Sequence, residues 1–491
     1  MFALLVVVCL TTLTNCFKLI NDVEQDDAWL TLLDTQRPQP HETPDGDRIR
    51  EGDIVEAREV GGRKAVAEPV LYWPGAVVPF SYHYSVSGDD RQVIERAMKH
   101  WERETCVTFR ARESLDYMWI RFRTDSPGCW SLVGRQFLRF GVGQDVSIGQ
   151  GCAQMHVVAH EIGHALGFFH EQSRSDRDSA IAVIWDNVQD GYDTQFRKEE
   201  DANFSVAYDY TSVMQYPSWA FSKDVLAKNT IVTLDPRHQR FLGRNTDGLS
   251  FRDKKAANAL YACAADCPDA SSAECLNDGY LRPYRNDGRP CGCECPPTAT
   301  GAACETRLND DYYEALSPTL CGGNVTEDGA VLETPNYPRR VRAGESCVWD
   351  VRAPSADQLV QLDFEGFEFA PRNVKPGSKT DGKCLHESVE IRLDDAFEGR
   401  IFCGADIAPN TRMVSTLSRV VVIVLADERM RGSGLRARVT FVDAPTTTTT
   451  EAPTTTAAPA IWRRIIVNPW RRRQTTTAPP PPPTTRRTVW G

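Results

Sequence analysis

The sequence lacks an excess of positive charge, and beyond its first residues it has no hydrophobic run of membrane-spanning length. Its 491 residues include 56 lysines and arginines against 67 aspartates and glutamates, and the formal net charge is −11. No basic stripe stands out in residues 1–440, which argues against a nucleic-acid partner. The apolar run at residues 420–425 has only the length of a β-strand. We therefore expect neither a nucleic-acid partner nor a membrane span.

The N-terminus carries a short apolar segment. Residues 1–10 include Phe2, Leu4, Leu5 and three consecutive valines, and threonine and asparagine follow. The segment is too short for a membrane-spanning helix but is typical of the hydrophobic part of a secretory signal. We predict a signal peptide at residues 1–16 and a secreted, extracellular protein. The alternative is a buried N-terminal strand.

Cysteine usage supports export. Two of the sixteen cysteines, Cys9 and Cys16, lie in or beside the predicted signal. The others form an even set, as a disulfide framework in an oxidising compartment requires. They are Cys106, Cys129, Cys152, Cys263, Cys267, Cys275, Cys291, Cys293, Cys295, Cys304, Cys321, Cys347, Cys384 and Cys403.

The segment before the first of these cysteines is typical of a pro-segment. Residues 17–64 are acidic, are interrupted by proline, and close with Gly61, Gly62, Arg63 and Lys64. A basic pair at the end of such a segment indicates a cleavage site, so we predict an activating protease that cuts near Arg63 or Lys64. The alternative is an exposed loop with two basic residues.

Three further regions differ in cysteine density and pattern. Residues 65–264 hold four cysteines, a helical apolar spacing over residues 93–104 and a strand-like alternation over residues 117–123. That region is long enough to bury a core and hold a cleft. Residues 265–305 crowd six cysteines among glycine and proline, so disulfides must hold the segment together. Residues 321–442 alternate apolar runs with glycine and proline turns, which is typical of a β-sandwich.

The chain ends in low-complexity sequence. Residues 443–491 contain runs of threonine and proline that cannot pack, and we predict an extended stalk with O-linked glycans. The basic and aromatic stretch at residues 461–473 has two interpretations, a contact with acidic glycans or matrix and a solvated tail. We favour the solvated tail.

The strongest functional signal lies between His160 and His170. On a helix, His160 and His164 share one face because they are four residues apart, so both imidazoles can bind one ion. Glu161 lies about 100° round the helix from His160, which suits a base beside the metal. Gly167 can end the helix in a left-handed conformation and turn His170 back to the same ion. Three imidazoles with an open position for water predict one Zn²⁺ per chain. The alternative is a set of ordinary helix residues.

Residues 160–178, HEIGHALGFFHEQSRSDRD, resemble the signature of the astacin metalloproteases throughout its length. Residues 73–80, 128–135 and 151–152 are similar to other parts of that family's catalytic domain. The resemblance implies an α+β zincin (metzincin) catalytic domain in which two subdomains flank a zinc cleft.

Residues 212–216 of this sequence resemble the Met-turn of the family. The resemblance implies that Met214 forms an apolar floor beneath the zinc histidines. Tyr216 would be a further zinc ligand that swings away and hydrogen-bonds the oxyanion. Gln215 stands where the family usually has histidine, at a position that is not a ligand. Without the resemblance, Met214 and Tyr216 are more often core residues.

The same resemblance implies roles for two acidic residues. Glu171 would be the buried acid that receives the new N-terminus after the pro-segment is removed, since a buried carboxylate needs a compensating charge. Its alternative is an exposed residue at a helix end. Pro-segments of the family carry a Phe-x-Gly-Asp motif whose aspartate ligates zinc, and Arg50 stands at the phenylalanine position here. Asp53 is therefore our candidate for the aspartate that keeps the precursor inactive. The alternative is that Asp53 only belongs to an ordinary turn.

The downstream regions resemble an EGF-like module (residues 265–305) and a β-sandwich CUB domain (residues 321–442). With the pro-segment, this arrangement resembles nematode astacin-like proteases. Calcium-binding CUB domains use acids near the third cysteine, but His386 and Glu387 replace the expected residues, so Ca²⁺ is not our prediction. Sequons at Asn203 and Asn324 are candidate glycosylation sites.

The resemblances also imply disulfide partners. They pair Cys106 with Cys263, Cys129 with Cys152, Cys267 with Cys291, Cys275 with Cys293, and Cys295 with Cys304.

We predict a secreted zinc endopeptidase, made as a zymogen, that hydrolyses extracellular proteins such as matrix or cuticle components. The resemblance implies that zinc activates water, that Glu161 takes its proton, and that zinc and Tyr216 stabilise the oxyanion. The alternative is a catalytically inactive adhesion or matrix scaffold that keeps the fold. A scaffold is free to lose the ligands or the base, and this sequence retains all of them.

Overall fold

A computed structural model describes residues 42–44, 46–56, 71–137, 141–199, 206–267, 274–283, 290–319, 321–341, 344, 346–426 and 432–445. They belong to the first of two units of the chain, residues 1–445, and the second unit, residues 446–491, lies outside them. The predicted signal peptide, the cleavage site at Arg63 and Lys64, and Asn203 also lie outside the described residues.

A mixed sheet forms the amino-terminal part of the described chain. Its strands are β1 (Ile49–Arg50), β2 (Ile54–Val55), β3 (Val77–Tyr82), β4 (Thr108–Ala111), β5 (Ile120–Arg123), β6 (Cys129–Leu132) and β7 (Gln144–Ile148). They lie in the order β1-β2-β6-β7-β5-β3-β4. The hairpin of β1 and β2 comes from the predicted pro-segment and joins the sheet through parallel pairing of β2 with β6.

Two helices pack on this sheet and share its core. Helix α1 (Gly88–Glu104) begins at Ser87, which forms a capping box with Asp90, and helix α2 is Met155–Leu166. The indole N–H of Trp101 on α1 donates to the carbonyl oxygen of Ala159 on α2 at 3.0 Å. The core therefore holds α2, with its histidines, firmly against α1.

Two predicted elements differ in their bounds from the observed ones. The helical pattern at residues 93–104 continues back to Gly88, because the Ser87 cap lies before the first apolar position. The strand predicted at residues 117–123 starts only at Ile120. Asp116 accepts a hydrogen bond from the backbone N–H of Glu113 at 2.7 Å, and so holds the preceding residues in a turn.

The second half of the peptidase region has few regular elements. It contains the antiparallel pair β8 (Ile181–Val183) and β9 (Ile231–Thr233), several short 3₁₀ turns, and helix α3 (Phe251–Leu260). Its aromatic cluster includes Tyr208, Tyr210 and Tyr216. Disulfides join Cys106 to Cys263 and Cys129 to Cys152, the same partners that the resemblance implies.

A small disulfide-linked segment follows. It has the strands β10 (Tyr280–Arg282), β11 (Gly292–Glu294), β12 (Ala299–Thr300) and β13 (Thr306–Arg307). Its disulfides join Cys267 to Cys291, Cys275 to Cys293, and Cys295 to Cys304. A short helix, α4 (Tyr312–Leu316), leads from this segment into the sandwich.

The carboxy-terminal described region is a β-sandwich. Its strands are β14 (Cys321–Val325), β15 (Val331–Glu333), β16 (Ser346–Arg352), β17 (Gln358–Glu368), β18 (Glu387–Arg392), β19 (Arg400–Phe402), β20 (Arg412–Val414), β21 (Arg419–Ala426) and β22 (Gly434–Asp443). One sheet has the order β14-β16-β21-β18-β19 and the other β15-β22-β17-β20. Disulfides join Cys321 to Cys347 and Cys384 to Cys403. Across the described ranges, no helix is long and apolar enough to span a membrane.

Candidate metal centre

Helix α2 carries two of the three predicted ligands. The Nε2 atoms of His160 and His164 are 3.0 Å apart. Gly167 ends the helix with a φ of 112°, a left-handed conformation that glycine adopts without a steric penalty. The chain reverses there, and the ring centre of His170 lies 4.7 Å from that of His164 and 5.2 Å from that of His160. The three imidazoles therefore converge on one point.

The carboxylate of Asp53 lies among these imidazoles. Its Oδ2 is 3.2 Å from Nε2 of His160 and 3.2 Å from Nε2 of His170, and its Oδ1 is 3.7 Å from Nε2 of His164. Asp53 lies in the turn between β1 and β2, and its carbonyl oxygen accepts a hydrogen bond from Ser131 on β6 at 2.9 Å. The sheet thus holds the carboxylate over the metal centre.

These four groups fit a zinc ion. One ligand atom from each lies within 4.8 Å of the others. Two nitrogen ligands of tetrahedral zinc are about 3.3 Å apart, close to the 3.0 Å between the two helix histidines. In addition, Oδ1 of Asp53 is buried 3.1 Å from Nε2 of His170 but makes no aligned hydrogen bond among the described residues, which a bound cation would relieve. Zinc is therefore the cofactor that this site would hold.

The second ring nitrogen of each helix histidine is also engaged. Nδ1 of His160 donates to the carbonyl oxygen of Val213 at 2.7 Å, and Nδ1 of His164 to that of Phe168 at 2.7 Å. A proton on Nδ1 leaves the lone pair of Nε2 free for a metal and fixes the orientation of the ring. Both imidazoles are therefore prepared as Nε2 ligands.

Met214 packs directly against the ligand helix. Its sulfur lies 2.7 Å from the point that a Cβ on Gly163 would occupy, so α2 approaches as closely as only glycine permits. The turn that carries Met214 is held from α3, where the Asp253 carboxylate accepts hydrogen bonds from the Ser212 hydroxyl at 2.6 Å and the Val213 N–H at 2.8 Å. Met214 thus packs against the ligand helix, and its role as the floor of the zinc site stays a prediction.

Glu161 and Tyr216 also lie at the centre. Glu161 is 1% exposed, and its Oε2 has no partner in the described part of the chain. Burial, together with the negative charge of Asp53, raises the pKa of Glu161 well above its usual range. The ring centre of Tyr216 lies 4.4 Å from that of His170, and its hydroxyl donates to the carbonyl oxygen of Glu51. Tyr216 is thus turned toward the upstream segment.

Comparisons with known proteins agree with this geometry. The astacin peptidase family matches residues 65–262, and the CUB domain family matches residues 321–439. Protein SpAN of Strongylocentrotus purpuratus is 32% identical over 446 residues, with 85% of this chain and 67% of that protein covered. The chain belongs to the astacin family.

Other relatives of this astacin-family chain have a similar sequence identity to it. Zinc metalloproteinase dpy-31 of Caenorhabditis elegans is 34% identical over 406 residues, and the match covers 80% of this chain and 64% of that protein. Among solved structures, the hatching enzyme zinc-protease HCE-1 of Oryzias latipes is 32% identical, covering 41% of this chain and 100% of that chain with a TM-score of 0.37. The chain therefore spans about two thirds of the length of the two named sequence relatives.

Glu171 occupies a half-buried, acid-rich environment, with its side chain 14% exposed. Its Oε1 accepts hydrogen bonds from Nη1 of Arg174 at 3.1 Å and from the backbone N–H of Asp209 at 2.7 Å. Burial raises the pKa of Glu171 to about 8, because the pair with Arg174 offsets only part of the loss of hydration and Asp209 adds negative charge. A cavity of about 20 Å³ adjoins it, lined also by Arg252 and Asp253.

Sequence reasoning missed the role of the residues before Asp53. Oε2 of Glu51 accepts hydrogen bonds from Nδ1 of His170 at 3.0 Å and from the Ser173 hydroxyl at 2.8 Å. Arg50, at the usual phenylalanine position, contacts Oε1 of Glu51 at 2.6 Å and Oε1 of Glu199 at 2.5 Å. Arg50 thus forms an ion-pair cluster with Glu51 and Glu199 at this position, and no local pattern indicates it.

The remaining candidates lie away from the metal centre. Asn324 is exposed on β14, and its glycosylation stays a prediction. Glu387 is 1% exposed and accepts a hydrogen bond from the backbone N–H of Ala370 at 2.5 Å.

Proposed function

We propose that this chain is a secreted zinc endopeptidase that is made as a latent precursor and cleaves extracellular proteins. The observation that carries the proposal is the position of Asp53, whose carboxylate lies 3.2 Å from two of the three imidazoles of the metal centre. A removable carboxylate at the metal would keep such a peptidase latent until it is cut. Membership of the astacin family supports the peptidase activity.

In the proposed active form, residues 17–64 have been removed. His160, His164 and His170 hold the zinc ion, and the position of the Asp53 carboxylate is open to water. Zinc, when bound, supplies a Lewis acid that polarises the scissile carbonyl and lowers the pKa of water at that position.

Glu161 then acts as the general base. Its buried carboxylate, with Oε2 free of partners among the described residues, is placed to take a proton from the attacking water and pass it to the leaving amine. The Tyr216 hydroxyl is the second polar group at the site. After removal of the segment it loses the Glu51 carbonyl oxygen as its acceptor and can donate to the oxyanion of the tetrahedral intermediate.

Activation is proposed to act through Glu171. A cut near Arg63 or Lys64 creates an ammonium group, which the half-buried Glu171 carboxylate would bind. The cavity beside Glu171 is large enough for about one water molecule, and an ammonium group is of similar size. An ion pair would offset the cost of the buried negative charge.

The substrates are proposed to be proteins of the extracellular matrix or cuticle. The disulfide framework of the described residues suits an oxidising extracellular compartment. The CUB sandwich and the EGF-like segment provide further surface next to the peptidase domain for binding a large substrate.

The test is to purify the precursor and cut it with a protease specific for basic residues. A quenched fluorescent peptide library should be hydrolysed after the cut and not before it. A chelator should abolish the hydrolysis and added zinc should restore it. Hydrolysis by the Glu161→Ala variant at the wild-type rate, or hydrolysis insensitive to chelation, would overturn the proposal.

A further inference from the structure

Helix α4 joins the EGF-like segment to the CUB sandwich and packs against the peptidase domain. Its side chains Tyr312 and Tyr313 are 8% and 6% exposed and belong to the same buried cluster as Tyr208 and Tyr210. Asp311 caps the helix by accepting hydrogen bonds from two of its backbone N–H groups. The linker between two downstream modules is therefore part of the peptidase core.

The two buried tyrosines differ in their polar contacts. The Tyr313 hydroxyl accepts hydrogen bonds from the N–H of Tyr210 at 3.0 Å and Nη1 of Arg252 at 3.0 Å, and it donates to the carbonyl oxygen of Tyr208 at 3.1 Å. A tyrosine hydroxyl has one proton and two lone pairs, so its capacity is used in full. The Tyr312 hydroxyl is buried without a partner among the described residues.

The backbone that Tyr313 holds leads directly to Glu171. Asp209 lies between the two residues that Tyr313 contacts, and its N–H donates to Oε1 of Glu171 at 2.7 Å. Asp209 and Arg252 also line the cavity beside Glu171. A shift of residues 208–210 would therefore move both the partner of the Glu171 carboxylate and the wall of its cavity.

We propose that α4 positions the pocket that receives the new N-terminus. Tyr313 holds residues 208–210, Asp209 orients Glu171, and the Glu171 carboxylate is thereby aimed into the cavity. Tyr313 does not touch the substrate and acts as a positioning residue. This inference rests on the proposed activation through Glu171, and it makes the linker between the EGF-like and CUB modules part of the activation step.

The test measures how accessible the new α-amine is in the activated full-length protein. Precursors carrying Tyr313→Phe or Tyr312→Phe are cut, treated with an acylating reagent at neutral pH, and analysed by mass spectrometry of the N-terminal peptide. We expect labelling to be about tenfold faster in Tyr313→Phe, because the N–H of Tyr210 loses its acceptor, while the Tyr208 carbonyl oxygen and Nη1 of Arg252 are left with the hydrogen bond between them. Tyr312→Phe, which removes a hydroxyl of similar burial, should label at the wild-type rate. Thermal unfolding of each uncut precursor shows whether the fold is retained.

The outcomes distinguish a failure of the proposed role of α4 from a failure of the proposed activation through Glu171. Equal labelling in the wild type and both tyrosine variants overturns the role of α4. If Glu171→Gln also leaves labelling unchanged, the N-terminus is not bound at Glu171 and the proposed activation fails as well. If Glu171→Gln accelerates labelling and Tyr313→Phe does not, only the role of α4 is wrong. Should Tyr313→Phe not fold, Asp311→Ala, which removes the cap of α4, is expected to accelerate labelling in the same direction.

Discussion

The Glu51 carboxylate accepts a hydrogen bond at 3.0 Å from Nδ1 of His170, the metal-site histidine that lies outside helix α2. The proposed pro-segment therefore contacts the histidines of the metal centre through two different side chains. Asp53 faces Nε2 of the histidines, and Glu51 engages the opposite side of one ring. Both contacts must break when the segment leaves, so each should contribute to latency.

Asp53 is expected to dominate that latency. In a precursor made uncleavable by Arg63→Gln and Lys64→Gln, adding Asp53→Ala should give hydrolysis of a fluorogenic peptide where the parent shows almost none. The physical reason is that the carboxylate occupies the position needed for water. Glu42→Gln, a change at an exposed residue of the same segment, is the matched control and should stay latent. An inactive Asp53→Ala precursor would contradict the role of Asp53.

Glu51→Gln should weaken latency less than Asp53→Ala does. The change keeps the size of the side chain but replaces a charged acceptor by a neutral one, and hydrogen bonds to charged groups contribute about 1.5–3 kcal/mol. We expect the uncleavable precursor to show about tenfold more peptide hydrolysis than its parent. The same kinetic assay checks it, and activity no higher than that of Glu42→Gln would refute the contribution of Glu51.

Glu161→Ala should separate zinc binding from catalysis. Loss of the general base is expected to lower kcat/KM of the activated protein by about 10²–10⁴-fold. Zinc content, measured by atomic emission, should stay near one ion per chain because the three histidines remain. His164→Ala is the contrasting variant and should lose both zinc and activity. Loss of zinc in Glu161→Ala would show that this residue serves the site in another way.

The raised pKa of Glu171 predicts a pH dependence for the stability of the precursor. Its pKa is raised to about 8 in the folded chain, so between its ordinary value and 8 the folded state binds a proton that the unfolded state has lost. Stability therefore falls as pH rises through this window, by up to about 1.4 kcal/mol per pH unit. Glu171→Gln removes the penalty.

Chemical denaturation of the precursor tests this. The Glu171→Gln variant should be more stable than wild type at about pH 8, with a difference that shrinks toward about pH 5. A difference that stays constant with pH would show that Glu171 is charged in the precursor throughout the range.

Gly163→Ala should destabilise the protein despite the better helix propensity of alanine. The new Cβ would lie 2.7 Å from the sulfur of Met214, and relieving such an overlap in a packed core costs about 1–3 kcal/mol. Gly88→Ala is the matched control, since its Cβ meets no atom within 4 Å. Thermal unfolding should show a lower midpoint for the first variant only. Equal midpoints would mean that the Met214 turn can shift.

Much of the metal centre follows from the local sequence. The spacing of His160 and His164 on a helix, and a glycine able to turn the chain before His170, predict three converging imidazoles, and the structure has this arrangement. Local periodicity was less successful at element boundaries. The Ser87 cap, rather than apolar spacing, decides where α1 begins, and β5 begins at Ile120 rather than at the predicted residue 117.

The family resemblance in the sequence pointed to Asp53, whereas the tertiary structure alone decided that Glu51 and Tyr313 meet this region. Asp53 and His160 are 107 residues apart, Glu51 and His170 are 119 apart, and Tyr313 reaches the backbone beside Glu171 from beyond the disulfide-linked segment. Helical spacing is set by backbone geometry within a few residues, so one sequence suffices to predict it. Contacts across such separations depend on how sheets, helices and modules pack, and no local pattern in the chain records that packing.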